Sequence, residues 1–227
     1  MESCQGMIGP FECCSLVTGD ARELGDQIPD RSIDLVFTDP PYLVESIELY
    51  SWLAEWAART LKPQGLLMTY CGNLRKDRVM GLLGQSLEYV WDFANIMYGG
   101  CSIIWELNII SRWKSILCYR IPGSAAVPSR RVLGAFSGAG ADKRFHIWGQ
   151  DERTAHYYIQ KLTPGRGSLV VDPFAGGGTT LAMAKSSGVH WLGIEIDEAV
   201  ASVARERIET TQMPLFLTQQ DRQLGLL

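Results

Sequence analysis

The sequence predicts an α/β domain built on a mainly parallel sheet with helices on both faces. Three observations point there. Short apolar, β-branched runs alternate with longer helix-like runs along the chain. The runs IDLVFTD and SLVVDPF are continuously apolar, as strands covered on both faces are. The composition, 46% hydrophobic and 20% charged over 227 residues, suits one domain with a sizeable core and excludes disordered, collagenous and coiled-coil classes.

In chain order, strands are expected at residues 15–18, 33–37, 65–71, 89–98, 102–110, 115–119, 169–171 and 191–194. Helices are expected at 46–61, 74–83, 152–162, 179–186 and 198–208. Lys62-Pro63-Gln64-Gly65 reads as a helix-stopping turn. Asp197 reads as the N-cap of the last helix, with Val200, Val203, Ala204 and Ile208 on its inner face. Thr179 or Thr180 can cap the helix before it. Residues 121–143 are rich in Pro, Gly, Ser and Ala, so a mobile loop is expected over 121–145, and a loose tail over 215–227. The whole chain, 1–227, reads as a single domain.

The apolar window 93–110 carries Asn95, Gly99-Gly100, Glu106 and Asn108, which favours paired strands over a membrane span. Its segment 98–110, with Trp105, reads as core strand rather than interface. The start of the chain has neither a basic region nor an apolar stretch of the secretory kind. Six cysteines, at 4, 13, 14, 71, 101 and 118, form no C-x-x-C pair. That spacing predicts reduced thiols, a cytoplasmic protein and no metal site. The net charge is −4, but residues 109–148 carry Arg112, Lys114, Arg120, Arg130, Arg131, Lys143 and Arg144 against Asp142 alone. That stretch is +6, leaving −10 elsewhere, so a local phosphate-binding surface on an acidic body is expected.

Two short segments carry chemistry. Asp39-Pro40-Pro41-Tyr42 directly follows the strand at 33–37, where a parallel sheet places its reactive crevice. Two prolines fix φ and remove backbone donors, leaving acceptors outward. The Asp39 carboxylate and the Pro40 carbonyl can each accept an N–H from an exocyclic amino group, and Tyr42 can stack on its ring. The same tetrapeptide also serves as a plain turn. The second segment, Val171 to Thr180, reads strand, triple-glycine loop, helix. Its glycines allow close approach of a ligand, and Glu195, at the end of the following strand, can grip ribose hydroxyls. Neither the dinucleotide nor the phosphate-loop pattern is present, so the loop reads as a nucleoside site without a pyrophosphate.

Together these segments resemble the amino-group DNA methyltransferases that use S-adenosylmethionine. Asp39, Pro40, Pro41 and Tyr42 are similar to their catalytic motif D/N/S-P-P-Y/F. Asp172, Phe174, Gly176 and Gly178 are similar to their cofactor loop. Gly19-Asp20-Ala21 resembles the segment that contacts the cofactor adenine, and 146–151 resembles a divergent cofactor segment containing Gln150. The catalytic motif precedes the cofactor motif, as in the family's permuted β group. The resemblance implies a Rossmann-like seven-stranded sheet, cofactor contacts from Asp20, Gln150, Asp172, Phe174, Gly176, Gly178, Thr179 and Glu195, and duplex DNA held by Arg112, Lys114, Arg130, Arg131, Lys143 and Arg144. It implies methyl transfer to adenine N6, with cytosine N4 as the alternative, on a base flipped from the duplex, as in restriction-modification systems. It leaves little chain for a separate recognition domain, so a homodimer or a recognition subunit is expected. An RNA or protein-amide methyltransferase and an inactive binding remnant are the competing classes.

Overall fold

The computed structural model describes residues 6–41, 47–97, 101–128, 130–137 and 151–212. A small hairpin of β1 (Met7–Ile8) and β2 (Phe11–Glu12) comes first. Then follow β3 (Ser15–Thr18), α1 (Ala21–Gly25), β4 (Ile33–Thr38), α2 (Leu49–Thr60), β5 (Leu61–Cys71), α3 (Lys76–Leu83), β6 (Glu88–Ile96), β7 (Ser102–Ile104), β8 (Ile109–Ser111), β9 (Trp113–Arg120), β10 (Ala135–Ser137), α4 (Glu152–Leu162), β11 (Leu169–Asp172), α5 (Thr179–Ser186), β12 (His190–Glu195) and α6 (Glu198–Thr210).

Among the described residues the main sheet has eight strands in the order β10-β6-β9-β5-β4-β11-β12-β3, one more than the seven expected. The additional strand is β10, which lies parallel to β6 within the segment expected to be a mobile loop. Only β9 runs antiparallel to its neighbours, β5 and β6. The strand order reverses between β4 and β11. From β4 the chain moves outward to β5, and from β11 it moves the other way to β12. A crevice opens at such a switch point, outside the carboxyl ends of the strands.

The pleat explains why both faces are buried. In β4, Leu35 and Phe37 point into one core with Tyr158, Ile159 and Ala182, while Val36 points into the other with Leu53, Ala54 and Trp56; Ile33 joins that second core across the irregularity that precedes Leu35. Each of these fully buried aliphatic side chains contributes roughly 1.5–3 kcal/mol. The turn expected at Lys62–Gly65 is an irregularity inside β5: pairing runs from Ile33 with Leu61 directly to Leu35 with Leu66. Four residues on β5 thus stand opposite one on β4, which lets α2 pass into the strand without a separate loop.

Three expectations need correction. The segment 102–110 is not a strand of the core sheet. It folds as a separate hairpin, β7 with β8, around a left-handed Asn108. Its side chains are exposed, with Trp105 at 80% and Ile110 at 64%, because no other described element covers them. Helix α5 is capped by neither threonine: Gly178, at φ 74°, holds the N-cap position. Asp197 does cap α6, accepting from Ala199 and Val200, but the buried face is Ala201, Ala204, Arg207 and Ile208, and Val203 is exposed. The expected loose tail at 215–227 lies outside the described residues.

Candidate active site

The catalytic-type turn and the glycine loop leave the two strands that flank the switch point. Val36 of β4 pairs with Val171 of β11, so Thr38 and Asp172 finish their strands side by side. The Thr38 hydroxyl donates to the Asp172 carboxylate at 2.7 Å, joining the two motifs at their roots. Beyond Thr38, Asp39 is half-buried, Pro40 buried and Pro41 exposed; Tyr42 lies outside the described residues. Pro41 also lines a pocket of about 220 Å³ with Ile47, Tyr50, Gly72, Leu74, Arg75 and Val79. Asp39 sits close enough to Asp172, Tyr50 and Tyr70 to disfavour charge on each.

Asp172 is 3% exposed and lies beneath the loop rather than at its mouth. It accepts from Thr38, from the Phe174 backbone at 3.1 Å and from Thr180. Burial still dominates those donors and pushes its carboxyl up to about 7. Phe174 turns edge-on to Trp52 of α2, with ring centroids 5.8 Å apart, which holds the loop against the helix layer. Gly176 and Gly178 have φ of 48° and 74°, a region where side-chain-bearing residues are strained. They differ in surroundings. At Gly178 an added Cβ would lie 3.0 Å from the Ala204 Cβ, whereas at Gly176 it would meet only the Phe174 carbonyl at 4.0 Å. Gly178 therefore permits α5 to pack on α6, and Gly176 leaves an open backbone face.

Glu195 ends β12 and closes the loop from the other side. Its carboxylate accepts from the Gly176 backbone at 2.7 Å and from Asp197 at 3.0 Å. Its carbonyl accepts from Gly19 at 2.9 Å, which brings the next segment to the same edge. There Asp20 caps α1 and pairs with Arg22, whose guanidinium holds the Asp20 carboxyl below the usual range. Asp20, Asp39, Phe174, Gly176 and Glu195 thus share one edge of the sheet. Thr179 is turned inward and accepts from Arg207 at 2.8 Å. Gln150 lies outside the described residues.

Arg207, missed in the sequence, is 1% exposed yet donates to the Gly177 carbonyl at 3.0 Å, to Thr179 and to Glu152 at 2.7 Å. It ties the glycine loop to α6 and to the start of α4. In sequence it is one arginine among the charges of an amphipathic helix, so nothing marks it as internal. Asp151, also missed, caps α4 and touches Thr154, whose hydroxyl lies 3.1 Å from Asn95. Burial pushes the Cys71 and Cys118 thiols up to about 12, which removes both as nucleophiles.

Of the expected DNA contacts, Arg112, Arg130 and Arg131 are exposed and Lys114 is half-buried; Lys143 and Arg144 lie outside the described residues. Arg112 precedes β9, whose start pairs with Cys71 at the end of β5. The β7–β8 hairpin and Arg112 therefore spring from the same edge of the sheet as the catalytic-type turn.

A family model for N6/N4 methyltransferases, described as DNA methylase, matches residues 137–206, the part that contains the glycine loop and Glu195. Over that part the chain is similar to the N6/N4 amino DNA methyltransferases. The DNA adenine methyltransferase YhdJ of Escherichia coli K12 is 26% identical over 253 residues, covering 87% of this chain and 83% of YhdJ. The cytosine-N4-specific PvuII DNA methyltransferase superposes with a TM-score of 0.75 at 15% identity, over 91% of this chain and 89% of that one. TTHA0409 of Thermus thermophilus, in complex with S-adenosyl-L-methionine, gives a TM-score of 0.65 at 22% identity, over 88% of this chain and 96% of that one. Similar proteins thus include an adenine enzyme by sequence and a cytosine enzyme by fold, so similarity alone does not choose the base.

Proposed function

We propose that this protein methylates the N6 amino group of an adenine flipped out of duplex DNA, using S-adenosylmethionine. The observation that carries the reading is the direct coupling of the two motifs at the switch point, Thr38 to Asp172, with Asp39 and the open face of Gly176 on one crevice. The residues fit the cofactor by their own chemistry. Gly176 offers open backbone, Glu195 a carboxylate fixed by two amides and Asp20 an acid on the neighbouring strand end, which suit a nucleoside. When bound, the cofactor supplies a methyl group already activated by its sulfonium charge.

The chain's own part is positioning. The Asp39 carboxylate and the Pro40 carbonyl accept the two amino hydrogens, which draws the nitrogen out of conjugation and exposes its lone pair. Tyr42 stacks on the flipped base, recovering on the order of 1–3 kcal/mol of the unstacking cost. Phe174, Gly178 and Thr179 set the shape of the loop, and Asp172 acts through it from below. Gln150 completes the cofactor side. Arg112, Lys114, Arg130, Arg131, Lys143 and Arg144 hold the phosphates around the base. Adenine is favoured because Asp in the first motif position resembles the adenine enzymes and because YhdJ is one. The same geometry admits cytosine N4.

The exposed hairpin is read as the contact for a second copy of the chain. Ile103, Trp105, Leu107, Ile109 and Ile110 form an apolar surface with Glu106 as its one charge, which suits protein better than phosphate. None of the described helices is long and apolar enough to cross a membrane. A duplex DNA substrate agrees with a cytoplasmic enzyme.

Labelled-methyl transfer to duplex DNA, RNA and protein extract, followed by nuclease digestion and mass spectrometry, tests the reading. N6-methyladenine from duplex DNA is expected. Asp39→Ala should keep cofactor binding by calorimetry while transfer falls at least about 100-fold. Full turnover in that variant, or label in RNA or protein alone, removes the assignment.

A further inference from the structure

We propose that Cys13, Cys14 and His190 form a zinc-type metal site at the end of the sheet opposite the active site. The register of the outer strands creates it. Ser15 of β3 pairs with Leu192 of β12, and the Cys14 backbone donates to the Trp191 carbonyl at 2.8 Å. Carried one step back, that pairing lays Cys13 beside His190. Two adjacent cysteines on an extended strand would send their thiols to opposite faces. Cys14 instead has φ 61°, a left-handed conformation uncommon for a residue with a side chain, and both sulfurs face the same side. They are 3.8 Å apart, and the ligand atoms of Cys13, Cys14 and His190 all lie within 4.8 Å of one another. A tetrahedral site with Zn–S bonds of about 2.3 Å has an S–S edge of about 3.8 Å. Thiolate and imidazole donors select zinc over the harder cations.

Cys13 is disulfide-bonded in this structure, so the reading of every cysteine as reduced does not hold for it. The disulfide and the metal use the same sulfur and exclude each other. A dithiol reductant opens the bond: it gives up two electrons and two protons, is itself oxidised to a disulfide, and leaves two protein thiols. One of them is the Cys13 thiol, which then joins Cys14 and His190 as a donor. Zinc then displaces the thiol protons. The resulting Cys2His set supplies three of the four tetrahedral donors and leaves the fourth position to water.

His190 begins β12 and Glu195 ends it, so the cluster is roughly 17 Å from the cofactor edge. Its part is structural. It fastens the β1–β2 hairpin, closed by the Cys13 bond to the Gly6 carbonyl at 2.9 Å, onto β3, which among the described residues has β12 as its one sheet neighbour. The inference stands apart from the methyl-transfer reading.

The test is metal content by plasma mass spectrometry, on full-length protein made without a histidine tag and kept in millimolar dithiol. Roughly one zinc per chain is expected. Cys14→Ser and His190→Gln should each lower it at least about tenfold. Both variants should retain cofactor-saturated methyl transfer, so a failure of the site is distinguishable from a failure of the enzyme. Replacement of zinc by cobalt in the wild-type chain should produce thiolate charge-transfer bands, a readout that survives if a variant does not fold. Zinc below about 0.1 per chain in the reduced protein, or full zinc in His190→Gln, overturns the proposal.

Discussion

Asp172 is a buried acid whose ionisation the fold resists. Its raised value means that the native state binds the proton more tightly than the unfolded chain does, where an ordinary 3.8 applies. The associated stability is therefore fully present below pH 3.8 and is lost as pH rises to about 7. A shift of that size corresponds to at most about 4 kcal/mol for a fully buried group. Thr38, the Phe174 amide and Thr180 all favour the charged form, so they already limit the cost of ionising it. Asp172→Asn should remove the dependence: across roughly pH 4 to 7 the wild type loses stability relative to the variant, measured by urea unfolding at several pH values. A constant difference between the two proteins would show that Asp172 titrates normally. The same experiment addresses why the acid is there. A carboxyl that burial holds towards neutrality beneath the glycine loop would couple proton release to any charge the loop received.

At the scale of elements, tightness at α5 and openness at β7–β8 lead to opposite expectations. Gly178→Ala combines a φ of 74° with a Cβ 3.0 Å from Ala204, so the start of α5 must move away from α6. A loss of roughly 1–3 kcal/mol is expected by thermal or denaturant unfolding. Gly176→Ala, strained in φ but with space around it, should cost less stability and more cofactor affinity. In the hairpin, Trp105→Glu changes a side chain that is 80% exposed, so monomer stability should not move. Sedimentation velocity should show a dimer for the wild type and a monomer for the variant; a wild-type monomer at tens of micromolar would remove the second copy from the account. These cases also show how far the sequence is legible. Elements with a strong period and a cap, such as α4, α6 and β4, can be read within a residue or two because local signals and burial agree. The strand-end motifs are legible because Asp-Pro-Pro and triple glycine constrain the backbone by themselves. The hairpin misleads because apolar content signals burial only when another element arrives to cover it. The Cys13–Cys14–His190 cluster and Arg207 are invisible because each is assembled by pairing across long sequence separation, which no local spacing encodes.

For the whole molecule, the decisive quantity is how charge is laid out on the fold. The chain is acidic overall, yet residues 109–148 are +6. The start of that stretch, at Arg112, lies on the same sheet edge as the catalytic-type turn. Some acidic groups elsewhere are paired within the protein: Asp34 with Lys62, Asp92 with Lys76, Glu88 with Arg120 and Asp30 with Arg59. Surface pairs of this kind add little stability, but they blunt the repulsion that free carboxylates would exert on a polyanion. On the proposed function, a duplex is steered towards the crevice edge, where arginines would replace counterions on its phosphates. Each phosphate contact contributes about 0.9 to the slope of log affinity against log salt. The triple variant Arg112→Ala, Arg130→Ala, Arg131→Ala should then flatten that slope by about 2–3, measured by fluorescence anisotropy on one duplex between about 50 and 200 mM salt. Cofactor affinity should stay unchanged, because these residues lie outside the glycine loop. An unaltered slope would mean that the duplex crosses a different face, and the flipped base would then have no path to Asp39.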